Sequence, residues 1–178
     1  MALSLGISAC GAASPTAPAT AAAAQPEPAT ITRWEEESFG PLRLGMTGEQ
    51  AIHALGEPES RPELVEMEAT GERVASWSWP GRGVSMTLHD GAGGVVVDAI
   101  TLTGPSDLRA AFGRVGLGST REEVLAAYAD VSGGEDAEPR EDPDRPDQVR
   151  IGNAYACLSF TFTDGRVSGI HLGSTGAE

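Results

Sequence analysis

"LGMTGEQAIHALGEP" spans Leu44 to Pro58, and a near copy, "LGSTREEVLAAYADV", runs from Leu117 to Val131. In each, a Thr is followed three residues later by Gln or Glu: Thr47 with Gln50, and Thr120 with Glu123. This is the capping box, in which the Thr hydroxyl accepts an orphan backbone N–H and the longer side chain returns to the Thr backbone. Apolar residues follow at Ala51, Ile52 and Leu55 in the first copy and at Val124, Leu125 and Tyr128 in the second. That spacing predicts one buried stripe on each of two short helices. Gly56 and Pro58 stop the first helix. His53 sits between its stripe and solvent and reads as an ordinary surface histidine.

Working outward, each helix is followed by a Pro-marked acidic stretch and then by runs that alternate apolar with polar residues, the signature of strands. The first set is "RVASWSW", "GVSMTLHD" and "VVVDAITLT"; the second is "QVRIG", "ACLSFTFTD" and "RVSGIHLG". Asp90-Gly91 and Asp164-Gly165 each end one strand and turn into the next, since Gly tolerates the positive φ that tight hairpins demand. The first turn, "DGAGG", is the longer and looser.

Parity along the strands separates two faces. Trp77, Trp79, Val84, Met86, Leu88, Ile100, Leu102, Leu158, Phe160, Phe162, Ile170 and Leu172 share one parity and form the expected core against the helices. The other parity carries Ser85, Thr87, His89, Thr101, Ser159, Thr161, Thr163 and His171. These eight are the candidate protein-binding residues, on an antiparallel sheet with one side free. The predicted fold class is therefore α+β: two tandem units, each a capped short helix or helix pair packed on one face of a small antiparallel sheet. The first unit covers residues 34–104 and the second 105–178, with an acidic loop at 133–147 and Gly104-Pro105 marking the junction. Each unit is too small to hold a core comfortably alone, which accounts for the doubling.

At the other end of the chain, Ile7-Ser8-Ala9-Cys10 matches the bacterial lipobox, an aliphatic residue and two small ones before the cysteine that receives the lipid. Residues 1–10 are read as a lipoprotein signal with Cys10 as the lipidation site, and the absence of a basic n-region places the expected translation start upstream. Residues 11–33, rich in Ala and Pro with few charges, bury too little apolar area to offset the entropy of ordering and read as an extended tether. Trp34 closes the tether onto the folded part, with Glu35, Glu36 and Glu37 solvated beside it. With Cys10 acylated, Cys157 is the only remaining thiol, a small buried hydrophobe in a strand.

Composition narrows the function. The chain has 178 residues and a formal charge of -14, and all 12 of its basic residues are Arg. A broad basic surface for phosphate backbones is missing, so nucleic acid and anionic lipid headgroups are poor candidate partners; no nucleic acid is expected, and the membrane is expected to be met only through the lipid anchor. No nucleophile elbow, zincin helix, phosphate-gripping Gly loop or CxxC appears. No catalytic residue, metal ligand or cofactor is assigned. The acidic stretch Glu135 to Asp147 reads as a solvated loop, its Pro content and lack of apolar residues weighing against a cation site.

The pair "LGMT...ALGEP" with "VSMTLHDG...AITL", echoed by "VGLGSTREEVLAAY" with "LSFTFTDGRVSGIHL", resembles the SmpA/OmlA (BamE-like) lipoprotein family and the related beta-lactamase-inhibitor-protein fold, over about Phe39 to Leu172. The inhibitor doubles its helix-on-sheet unit in tandem; its disulfides have no counterpart here, and the assembly lipoprotein has a single unit. The resemblance implies a non-catalytic cell-envelope lipoprotein, facing the periplasm or the cell exterior, that binds another envelope or secreted protein. Its work would be either to assist outer-membrane protein assembly or to inhibit a secreted or periplasmic hydrolase through its sheet face.

Overall fold

Alternating runs become strands wherever one face can be buried, and in the computed structural model all six of the runs read above do so. The structure describes residues 34–68, 70–91, 94–129, 131, 139–142 and 145–175. Cys10, the lipobox and the tether at 11–33 lie outside these, as does much of the acidic loop. In chain order the elements are β1 (Ser38–Phe39), β2 (Leu42–Arg43), α1 (Gly48–Leu55), β3 (Val65–Glu66), β4 (Arg73–Trp79), β5 (Val84–Gly91) and β6 (Gly94–Thr103). Then follow α2 (Arg121–Ala127), β7 (Arg140–Asp142), β8 (Arg145–Gly152), β9 (Ala156–Thr163) and β10 (Arg166–Ser174).

The expected pair of α+β units, each with a small sheet of its own, is not what forms. Strands from both halves make a single antiparallel sheet of eight strands, ordered β3-β4-β5-β6-β10-β9-β8-β7, and the described residues hold only two α-helices. Two physical reasons decide this. Separate sheets would leave the edges of β6 and β10 unpaired, and joining them satisfies both rows of backbone groups. The helices, of 8 and 7 residues, are also each only about 12 Å long, against a sheet that is roughly 34 Å across at ~4.8 Å per strand. Neither could close a core of its own, and the buried apolar residues of both halves form one continuous cluster.

The seam is where the sequence repeat pairs with itself. Ile100-Thr101-Leu102 of β6 lies antiparallel to Ile170-His171-Leu172 of β10, with Ile100 opposite Leu172, Thr101 opposite His171 and Leu102 opposite Ile170. The two halves thus meet about an approximate two-fold axis at the Thr101–His171 pair. All twelve residues assigned to the core by parity are buried, and both helices lie on their side of the sheet. Tyr128 stacks on Phe160 at 5.5 Å between ring centroids. Trp79 donates its indole N–H to the Gly56 carbonyl at 2.9 Å, fixing the end of α1.

The repeated Leu-Gly-x-Thr has two jobs in each half. Both capping boxes are complete, the Thr47 hydroxyl accepting from Gln50 N–H and the Thr120 hydroxyl from Glu123 N–H. The residues just before each Thr also pair with the strand edge that the seam leaves free. Gly45 N–H donates to Val97 O and Val97 N–H to Met46 O, each at 2.8 Å; Gly118 and Ser119 treat Val167 the same way, again at 2.8 Å. The turn into this pairing needs positive φ, +73° at Gly45 and +85° at Gly118, which explains the glycine in both copies.

Further expectations are corrected in detail. Glu37 is buried rather than solvated, with 1% of its surface exposed. Its Oε1 accepts from the backbone N–H groups of Ser38 and Phe112 at 2.9 and 3.1 Å, and its Oε2 accepts from the Tyr128 hydroxyl at 2.6 Å. The carboxylate therefore ties the start of the folded chain to α2. Leu125, assigned to the buried stripe, is 36% exposed, because the 7-residue helix turns only Val124 inward, with Tyr128 buried at its C-cap. Asp164-Gly165 is the tight turn foreseen, with φ of 52° and 74°, but Asp90 and Gly91 lie within the hairpin ladder, opposite Val95 and Gly94. Part of the acidic loop is strand: Arg140 to Asp142 pair with β8, which begins at Arg145.

Candidate functional site

The side of the sheet away from the helices carries the residues singled out by parity. A continuous row crosses seven strands in register: Ser78, Ser85, Thr101, His171, Ser159, Arg150 and Arg140. Four of the eight candidates, Ser85, Thr101, His171 and Ser159, are thus neighbours at its centre. Thr87 lies one row away, opposite Ser76 and Ala99, and Thr161 lies opposite Gly169 and Gln148. His89 and Thr163 are not brought to the centre. His89 pairs with Val96 beyond a β-bulge, and Thr163 sits at the hairpin end, where its hydroxyl donates to Ser168 Oγ at 3.0 Å.

His171 is the most constrained of the group. Its Nε2 is 2.9 Å from the Ser174 carbonyl and its Nδ1 3.1 Å from Thr101 Oγ1. A carbonyl only accepts, so Nε2 carries the proton and the Thr101 hydroxyl donates to Nδ1. Burial lowers the imidazole pKa below its ordinary 6.5, against the opposing pull of the Ser174 and Gly173 carbonyls and Asp98, while Arg150 adds to the lowering. The ring is therefore held neutral.

Asp98 was missed in the sequence. The bulge where Thr87 faces Ala99 and Leu88 faces Val97 leaves Asp98 as the extra residue. There it accepts from the Ser174 hydroxyl and lies 3.8 Å from His89 Nδ1. Nothing in a run such as "VVVDAITLT" marks a bulge, whereas Arg150 was readable from its parity in "QVRIG". Cys157 has this parity as well but is buried. Burial pushes its thiol pKa up, with partial relief from the charge of Arg150 and a hydrogen bond involving Ser159. An unreactive thiol of this kind agrees with the reading of Cys157 as a small buried residue.

Chemically the face offers hydroxyls, one neutral imidazole and guanidinium groups. A hydrolytic triad would put a carboxylate on the second imidazole nitrogen; at His171 that place is taken by a main-chain carbonyl. A cleft of about 380 Å³ indents the face between β8 and β10, with Gln148, Arg150 and His171 on its walls. Among the described residues, no cluster of His, Cys, Asp and Glu has the geometry of a metal site, and no helix is long and apolar enough to cross a membrane. Compared with known proteins, the chain matches no family model, no curated protein and no solved structure.

Proposed function

We propose that this chain is a non-catalytic cell-envelope lipoprotein, anchored through Cys10, that binds another envelope or secreted protein with the open face of its sheet. The observation that carries the reading is the uncovered row of polar side chains across seven strands. At ~4.8 Å per strand and ~3.4 Å per residue, such a face measures roughly 30 by 24 Å, or about 700 Å². That approaches the ~800 Å² each partner contributes to a standard protein interface. Short hydroxyl side chains lose little rotamer entropy on docking and leave the surface flat. The resemblance of the repeat to the SmpA/OmlA lipoproteins supports the same reading, as does the lipobox before a tether.

The test is the double substitution Thr87→Arg and Thr161→Arg, which places two long cations on the face without touching the core. Site-specific cross-linking from Ser85 in the native cells identifies the partner first. The expected result is loss of that partner by the double variant with an unchanged thermal transition; retention at full affinity would remove the sheet face from the proposal. Cross-linking to barrel-assembly components would assign the protein to outer-membrane assembly, and cross-linking to a hydrolase would assign it to inhibition.

A further inference from the structure

On the helix side of the sheet, a groove of about 810 Å³ runs between α2 and the segment from Arg109 to Ser119. Arg109, Arg114 and Arg166 line it, together with Leu117, Ala126 and Ala127. Arg109 donates to the Arg114 carbonyl at 3.0 Å and Arg166 to the Gly118 carbonyl at 2.9 Å. Each guanidinium is thereby anchored by one arm. No carboxylate lies within salt-bridge distance of Arg109 or Arg166 among the described residues. The one acid on the groove wall, Glu123, has an oxygen engaged by the backbone N–H of Thr120 at 2.8 Å in the capping box. In a chain with 26 acidic and 12 basic residues, two anchored cations with no acidic partner among the described residues give this groove a local positive potential.

We infer that this groove is a second docking site, separate from the sheet face, and that its occupant is an acidic peptide segment of a protein partner with apolar residues between its carboxylates. Carboxylates match the forked guanidinium donors, and apolar side chains match Leu117, Ala126 and Ala127 between them. An anionic membrane would meet the same arginines, but as a plane it would also meet the acids beside them, Glu122 on α2 and Asp164 at the hairpin turn, both exposed. A narrow peptide enters the groove without that repulsion, which a charge of -14 makes substantial at low salt.

The probe is a fluorescent hexapeptide of alternating Glu and Leu, titrated against the full-length chain. A Lys/Leu counterpart and vesicles of phosphatidylcholine with phosphatidylglycerol serve as the other arms. The expected result is saturable binding of the Glu/Leu peptide that weakens with added salt and falls at least tenfold in Arg109→Glu with Arg166→Glu. The neutral pair Arg109→Gln with Arg166→Gln gives an intermediate loss at an unchanged thermal transition, and carries the test if the reversed pair fails to fold. Binding should persist in the Thr87→Arg and Thr161→Arg variant, separating this groove from the sheet face. No binding of the Glu/Leu peptide, equal binding of the Lys/Leu peptide, or equal affinity in the substituted proteins would overturn the inference. Vesicle binding without peptide binding would do so too, assigning the arginines to the membrane.

Discussion

The buried pair of Glu37 and Tyr128 makes a prediction with two independent readouts. Tyr128 is fully buried, its hydroxyl donates to Glu37 Oε2 at 2.6 Å, and its ring packs on Phe112 and Phe160. Tyr128→Phe keeps the rings in place and removes one of the three donors on a carboxylate that is only 1% exposed. A hydrogen bond to a charged group contributes about 1.5–3 kcal/mol, so the variant should lose that much at pH 7, with Tm lower by about 3–12 °C. The second readout is alkaline. Burial, the charge of Glu37 and the hydrogen bond to it all hold the phenol pKa far above its ordinary 10. Above pH 10 the unfolded chain releases this proton while the native chain keeps it, so the unfolded state binds fewer protons and stability falls as pH rises. The slope is ~1.4 kcal/mol per pH unit for one proton. The chain contains no Lys, so the usual titration near that pH is missing. Cys157, also raised by burial, is removed from the background as Cys157→Ala. Urea unfolding followed by Trp fluorescence from pH 7 to pH 11 measures both effects. A loss under about 0.5 kcal/mol at pH 7, the scale of an ordinary surface change, or an alkaline slope that survives Tyr128→Phe, would refute the reasoning.

Three more outcomes follow from particular contacts. A Cβ on Gly48 would stand 2.7 Å from Cη2 of the buried Trp77, so Gly48→Ala should cost about 1–3 kcal/mol by overpacking although alanine is the better helix former; a stabilised variant in thermal unfolding would contradict this packing. At Gly45 and Gly118 the added Cβ meets nothing within 4 Å, so Gly45→Ala and Gly118→Ala should each cost about 1–2 kcal/mol from positive φ alone, and by similar amounts; a large inequality in urea titrations would break the equivalence of the two turns. His171, with its pKa lowered mainly by burial, resists the proton that the unfolded chain takes up, so stability should fall as pH drops below about 6.5. His171→Gln should flatten that decline between pH 7 and pH 5, and an unchanged profile would place the titration in another group.

Much of the fold was legible because a half-buried sheet spells its faces in alternate residues. Trp77 and Trp79 of β4 and Met86 and Leu88 of β5 read inward, and Ser85 and Thr87 read outward, whatever lies beyond the strand's edge. The capping boxes and the Asp164-Gly165 turn were equally local, each decided within four residues. What stayed hidden was long-range or carried by backbone. Glu37 looked like its solvated neighbours because the groups that bury it come from Phe112 and Tyr128, far along the chain. The bulge at Asp98 is a backbone event with no side-chain signature. Joining the halves was hidden for the same reason: pairing uses N–H and C=O groups that every residue has, so Thr101 and His171 read alike on a free edge or on a seam.

The repeat separates the positions that packing and pairing constrain from those they leave free. Around the two-fold axis at the seam, Ser85 corresponds to Ser159, Thr101 to His171 and Ser78 to Arg150, since each pair lies at equal distance along the cross-strand row. The inward positions stay apolar in both halves because both must fill one core. The Leu-Gly-x-Thr turns stay alike because each has the same cap to make and the same strand edge to pair. The open face is under no such constraint: Ser85 and Ser159 stay alike there, while Thr101 is matched by His171 and Ser78 by Arg150. Each half also stacks an arginine on an inward aromatic ring of its strands, Arg61 on Trp77 and Arg121 on Phe162, both at 4.5 Å. The two halves thus hold their core and caps in common because packing and pairing demand it, and they differ on the open face at the Thr101–His171 and Ser78–Arg150 positions, where neither demand acts.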